Sequence, residues 1–266
     1  MTGGQSLRVF WGIQKRELLR FVQQRERFFA ALVRPLVWLV VFAAGFRAAL
    51  GISIIPPYTT YITYDTYIVP GLIGMIQLFN GMQSSLSMVY DREMGSMRVL
   101  LTSPMPRWYL LACKVAAGTT VSILQAYAFL GLAAAFGIRM PFFGYLAVFP
   151  ALVLSGLMLG AFGLMLSSWI RQLENFAGVM NFVIFPTFFL SSALYPLWKM
   201  LESSPFIHAI CLANPFTYAV ELIRFALYLR FNLGAVAVVL AALAVFATLA
   251  VLGYDPRHGL VRRQTG

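Results

Sequence analysis

Leu233 to Leu252 reads LGAVAVVLAALAVFATLAVL, without a charged residue and with a single hydroxyl. A bilayer offers no water to the backbone, so every N–H and C=O in such a run must be satisfied within the segment. About 20 apolar residues then form a spanning helix. The same constraint recurs along the chain and predicts six spans. They run from Val33 to Gly51, Tyr67 to Tyr90, Leu110 to Phe136, Leu146 to Ile170, Asn175 to Leu194 and Leu233 to Leu252. Arg34-Pro35 opens the first, since proline suits a first helical turn. The expected fold is therefore an all-α membrane protein, and a hydrophobic content of 60% exceeds that of an ordinary soluble domain.

A net charge of +11 would suit nucleic acid only if the basic residues gathered on one soluble face. Here they fall in the gaps between apolar runs, where their distribution sets orientation. With the N-terminus inside, fifteen Lys and Arg lie on the inner side, and only Arg47, Arg139, Lys199, Arg224 and Arg230 on the outer. Both termini are expected in the cytoplasm. The first apolar run starts too far from Met1 for a cleaved secretory signal, so the N-terminus is expected to be retained. Cys113 and Cys211 would lie near opposite faces, which disfavours a disulfide.

Residues 1–32 are expected to form an amphipathic helix in the membrane interface. Leu7, Phe10, Trp11, Leu18, Phe21 and Val22 recur at helical spacing, opposed by Arg8, Lys15, Arg16 and Arg20. The transmembrane domain is read as 33–252 and a basic cytoplasmic tail as 253–266. Within 195–232, Pro196, Pro205 and Pro215 punctuate apolar pieces too short or too polar to cross. These read as re-entrant or interfacial helices on the outer face, where Glu221 and Arg224 are spaced to pair. Between the second and third spans, YDREMGSMRVLLTSPMPRWYLLACK concentrates six charged residues. Asp91 and Glu93 would complement the positive end of a helix there, and Pro104 would stop it. A short helix at about 91–104 follows, held at the membrane surface.

Glu93, Gly95, Leu100, Leu101, Ser103 and Pro104 resemble the E-x-G-(ST)-x-x-x-L-L-x-S-P pattern of the coupling region in ABC-2 type transporter permeases. Asn181, Phe185, Pro186, Phe188, Phe189, Ser191, Tyr195, Pro196, Leu197, Asn214, Pro215, Tyr218 and Arg224 resemble the same family's second signature. Ser192 stands where glycine is common, and Glu202-Ser203 replaces a usual proline. The resemblance implies a fold like that of type V ABC exporters. It implies a non-catalytic permease of a bacterial cytoplasmic (inner) membrane, pairing with a second copy of itself and with an ATP-binding cassette subunit. ATP and Mg would be bound by that partner, because this chain lacks the G-x-x-x-x-G-K-(S/T) loop. The segment DREMGSMRVLLTSP is also similar to a subgroup associated with quinoprotein alcohol oxidation in Gram-negative bacteria.

By this resemblance Glu93, Gly95, Ser96, Arg98, Leu101, Ser103 and Pro104 would seat on the ATPase. Gln77, Asn80, Ser84, Asn181, Phe185, Phe188 and Ser192 would lie near the translocation path, although Ser, Asn and Gln also commonly join helices within membranes. Gly156 and Gly160 read as a close-packing pair. His208 and His258 have no companions at ligand spacing, so no metal site is expected. The alternative, an ion-coupled secondary transporter working without an ATPase, would want carboxylates in mid-span and repeated halves. Neither is visible.

Overall fold

Proline and glycine set where the helices start and how closely they pack. The computed structural model describes residues 3–23, 25–46, 56–59, 62–94, 105–170 and 172–254. Ten helices follow one another there: α1 (Gly3–Gln23), α2 (Arg25–Phe46), α3 (Tyr64–Glu93), α4 (Arg107–Ala135), α5 (Gly144–Trp169), α6 (Leu173–Phe189), α7 (Leu197–Ser203), α8 (Pro205–Ala213), α9 (Pro215–Leu227) and α10 (Leu233–Gly253). By length and apolarity α4, α5 and α10 can each cross a membrane; α8 and α9, bent by 77° at their junction, make a fourth if taken as one broken span. α6 and the stretch Leu32–Phe42 within α2 are shorter apolar helices.

The thirty residues of α3 cover about 45 Å at 1.5 Å per residue. This helix is the axis of the core, enclosed by α2, α4, α5, α6 and α9. Small residues permit that enclosure. A Cβ on Gly81 would stand 2.8 Å from the Leu159 carbonyl oxygen, and one on Gly163 would stand 2.7 Å from Ser85 Oγ, so α3 and α5 meet backbone to backbone. Gly156 and Gly160 are the close-packing pair the sequence suggests, and they serve α4: added Cβ atoms would meet Thr119 Cγ2 at 2.7 Å and Val115 Cγ1 at 2.9 Å. α10 lies against α5, with Phe246 and Phe162 ring centroids 5.0 Å apart.

The sequence reading starts the first span at Val33, with Pro35 in its first turn. The helix instead begins at Arg25, and Pro35 is a buried interior residue of it. Exposed Leu7, Trp11 and Val22 give α1 an outward apolar face, while its other side packs on α4, where the Tyr109 hydroxyl donates to the Ser6 carbonyl at 2.7 Å.

Prolines start the short helices as their positions suggest. Pro205 and Pro215 are first-turn residues behind the N-caps Ser204 and Asn214. Asn214 does more than cap. Its Oδ1 accepts from the Phe216 N–H at 3.0 Å, while its Nδ2 donates to the Thr187 and Leu190 carbonyls at 2.7 Å, joining α9 to the end of α6.

Candidate functional site

The last turn of α3 carries three consecutive charged residues, and each holds a different neighbour. Asp91 is buried and pairs with Lys114 of α4 at 3.2 Å. Arg92 donates to the Ser167 carbonyl at 3.1 Å and the Ile170 carbonyl at 3.4 Å, satisfying the end of α5 where helical carbonyls lack partners. The Arg92 guanidinium also lies 4.8 Å from the Tyr254 ring centroid, and the Tyr254 hydroxyl shares a hydrogen bond with Ser167 Oγ at 2.9 Å. Burial raises the Tyr254 phenol above its ordinary pKa, so it stays neutral. Glu93 accepts the Leu173 N–H at 2.9 Å, capping the start of α6 with a carboxylate where the helix dipole favours one. One turn of α3 thereby ties together α4, α5, α6 and the end of α10.

Glu93 is exposed beyond that bond; Asp91 and Glu93, expected at the positive end of a separate helix at about 91–104, instead belong to the last turn of α3, because that helix continues past Tyr90 to Glu93. Gly95, Ser96, Arg98, Leu101, Ser103 and Pro104 lie outside the described residues.

The residues expected near a path separate into three environments. Gln77 is enclosed: its Nε2 donates to the Leu152 carbonyl at 2.7 Å and its Oε1 accepts from Ser155 Oγ at 2.6 Å. Phe188 and Ser192 are fully buried too. The Phe188 ring packs against Trp38 and Phe216, and the Ser192 carbonyl accepts from Tyr67 Oη at 3.0 Å and Arg224 Nη2 at 2.8 Å. Asn181 and Phe185 sit instead on the outward side of α6, with Phe182 78% exposed beside them. Phe185 meets Phe79 edge-on at 6.4 Å, Phe189 meets Trp38 at 5.8 Å, and the Arg34 guanidinium lies 3.9 Å from the Phe79 ring centroid. These groups form an aromatic wall across α2, α3 and α6. Asn80 and Ser84 line a cavity shared by α1, α3 and α4.

At the opposite end of α3, Arg224 is buried and pairs with Glu221, as the sequence spacing suggests. Its guanidinium stacks 4.1 Å from the Tyr67 ring centroid, binding α9 to the start of α3. Sequence reasoning missed Arg92, Gln125, Lys114 and Tyr254 as contact makers. Gln125 had a visible signal, as a lone amide deep in the apolar α4. Tyr254 had none, because its partners are remote in sequence.

Long apolar helices around a helix with polar contacts, with charges gathered at helix ends, define a multi-pass membrane protein. The pattern of the ABC-2 type transporter family matches residues 8–228, and the chain belongs to that family. It is 28% identical to the transport permease ycf38 of Cyanophora paradoxa over 211 residues, which cover 77% of this chain and 70% of that one. Against ycf38 of Porphyra purpurea the identity is 28% over 199 residues, 74% of this chain and 66% of the relative. The multidrug ABC transporter permease YbhR of Escherichia coli (strain K12) is 34% identical over 146 residues; the match covers 54% of this chain and 39% of YbhR. The family is one of transport permeases, so the chain is the membrane subunit of an ABC transporter, which works with an ATPase partner in a lipid bilayer.

Proposed function

We propose that two copies of this chain form an export pathway across a bacterial cytoplasmic membrane, driven by a separate subunit that binds ATP and Mg. In this reading α2, α3, α4, α5, α6 and α10 are six spans, both termini are cytoplasmic, and α7 to α9 form a re-entrant outer layer. The 91–104 segment seats on the ATPase through Glu93, Gly95, Ser96, Arg98, Leu101, Ser103 and Pro104. The observation that carries the reading is the clamp at the end of α3. A displacement of the attached segment acts through Asp91, Arg92 and Glu93 on four other helices at once. Packed helices respond to such a push by moving between discrete arrangements.

The aromatic wall is the surface best suited to face a second copy across the path, with Asn181 as its polar group. Gln77, Phe188 and Ser192 act behind it, fixing the helices that carry the wall. Copper-catalysed cross-linking of Phe182→Cys in native membranes tests the pairing. The reading predicts a disulfide-linked dimer whose yield changes when ATP is trapped on the partner. A monomer at every nucleotide state counts against it.

A further inference from the structure

The cavity beside Asn80 has a volume of about 300 Å³. Along α3 it extends from Asn80 to Asp91, about 16 Å at 1.5 Å per residue. That is half of a hydrocarbon core of about 30 Å. Glu17 and Arg20 of α1 stand at the end nearer Asp91, and Gln125 of α4 stands at the deep end beside Asn80. With α3 as one of the six proposed spans, the cavity is a cleft reaching from one membrane surface to mid-depth.

Its described lining is polar, with its charges in pairs. Arg20 pairs with Glu17 at 3.8 Å, and Lys114 with Asp91 at 3.2 Å. At the deep end Asn80 Nδ2 donates to the Ile76 carbonyl at 2.9 Å and to Gln125 Oε1. Asn80 Oδ1 and Gln125 Nε2 then have no hydrogen-bond partner among the described residues, although Gln125 is only 1% exposed. This donor and acceptor belong to one hydrogen-bonded amide pair on the cleft wall, where a ligand can complete their hydrogen bonds. Among the described lining residues an anion finds no unpaired cation, and a cation finds no unpaired carboxylate. The volume sits at the lower end of small-molecule sites.

We propose that this cleft binds the uncharged head of a small membrane amphiphile, a hydroxyl or amide that accepts from Gln125 Nε2 and donates to Asn80 Oδ1. Phe21 and Val121 flank the apolar part. The cleft is the site where cargo of that class is loaded from the inner leaflet. The loading role rests on the export reading above; the binding chemistry does not. Gly118 keeps the cleft open, since a Cβ there would stand 3.0 Å from Ser84 Oγ.

The full-length chain in lipid nanodiscs, without ATPase or nucleotide, is photolabelled with a diazirine-bearing 1-hexadecanol, and labelled peptides are identified by mass spectrometry. Labelling is expected within 80–91 and 118–125, displaced by excess hexadecanol, and about tenfold weaker with the matching fatty acid, whose charge lacks a counterion. Gly118→Leu, which fills the cleft, and Gln125→Leu, which removes the donor at similar volume, should each abolish the displaceable label. Undiminished label in whichever variant retains wild-type thermal unfolding overturns the proposal. So does a head-labelled phosphatidylethanolamine that occupies these peptides and resists displacement by the alcohol. Wild-type transport by a Gln125→Leu protein that has lost the label would refute the loading role alone. Labelling of Ser84→Cys by a membrane-impermeant maleimide only from outside sealed cells would refute the inner-leaflet topology while leaving the binding intact.

Discussion

Replacing Arg224 with leucine removes the charge that joins α9 to the start of α3. The residue is 2% exposed and contacts the Glu221 carboxylate, the Ser192 carbonyl at 2.8 Å and the Tyr67 ring at 4.1 Å. Breaking a buried pair by deleting one partner costs about 3–5 kcal/mol, mostly because a charge is stranded. Glu221 retains 17% side-chain exposure and recovers part of its hydration, so the lower end applies, about 3 kcal/mol. At about 2–4 °C per kcal/mol for a chain of this size, the expected loss is about 6–12 °C in Tm, read by thermal unfolding in nanodiscs. The double variant Arg224→Leu, Glu221→Leu should unfold at a higher temperature than Arg224→Leu alone, because the stranded carboxylate is gone. A shift under about 2 °C, or a double variant less stable than the single one, would refute the reasoning.

Three further perturbations follow from the packing and the clamp. Gly163→Val forces a side chain into the contact with Ser85 and Gly81 and should cost about 1–3 kcal/mol, checked by the same unfolding assay, with no loss expected from Gly4→Ala, where nothing lies within 4 Å. Glu93→Ala should leave insertion intact and cost about 1 kcal/mol through the lost cap of α6, while reducing stimulation of the partner's ATPase; full stimulation would remove Glu93 from coupling. Asn80→Trp should block transport without releasing the ATPase, measured by flux and co-purification on one sample; normal flux would exclude the cleft from the transport route.

The element types were legible where physics is local. Apolar runs without charge gave the long helices, and Pro205 and Pro215 marked the starts of α8 and α9. The Glu221 and Arg224 pair followed from their spacing. The start of α2 was misplaced because its helix continues through Pro35, and no local signal separates a first-turn proline from a tolerated interior one. Polar residues of α3 and α6 could be identified as candidates but not assigned a neighbour. Gln77 turns into α5 and Asn80 into α4, although three residues separate them. That difference depends on which helix packs on which face, information held in remote segments. The clamp of Arg92 on α5 and Tyr254 is of the same kind.

Under the proposed function an ATPase subunit drives this chain through the end of α3. Purification of the tagged chain in mild detergent, followed by ATPase assay of the eluate, tests it directly. The expected result is a stoichiometric ATP-binding subunit whose hydrolysis responds to the permease, with that response lost in Arg92→Gln even where the complex survives. A chain that purifies alone, or an ATPase rate indifferent to Arg92, would contradict it.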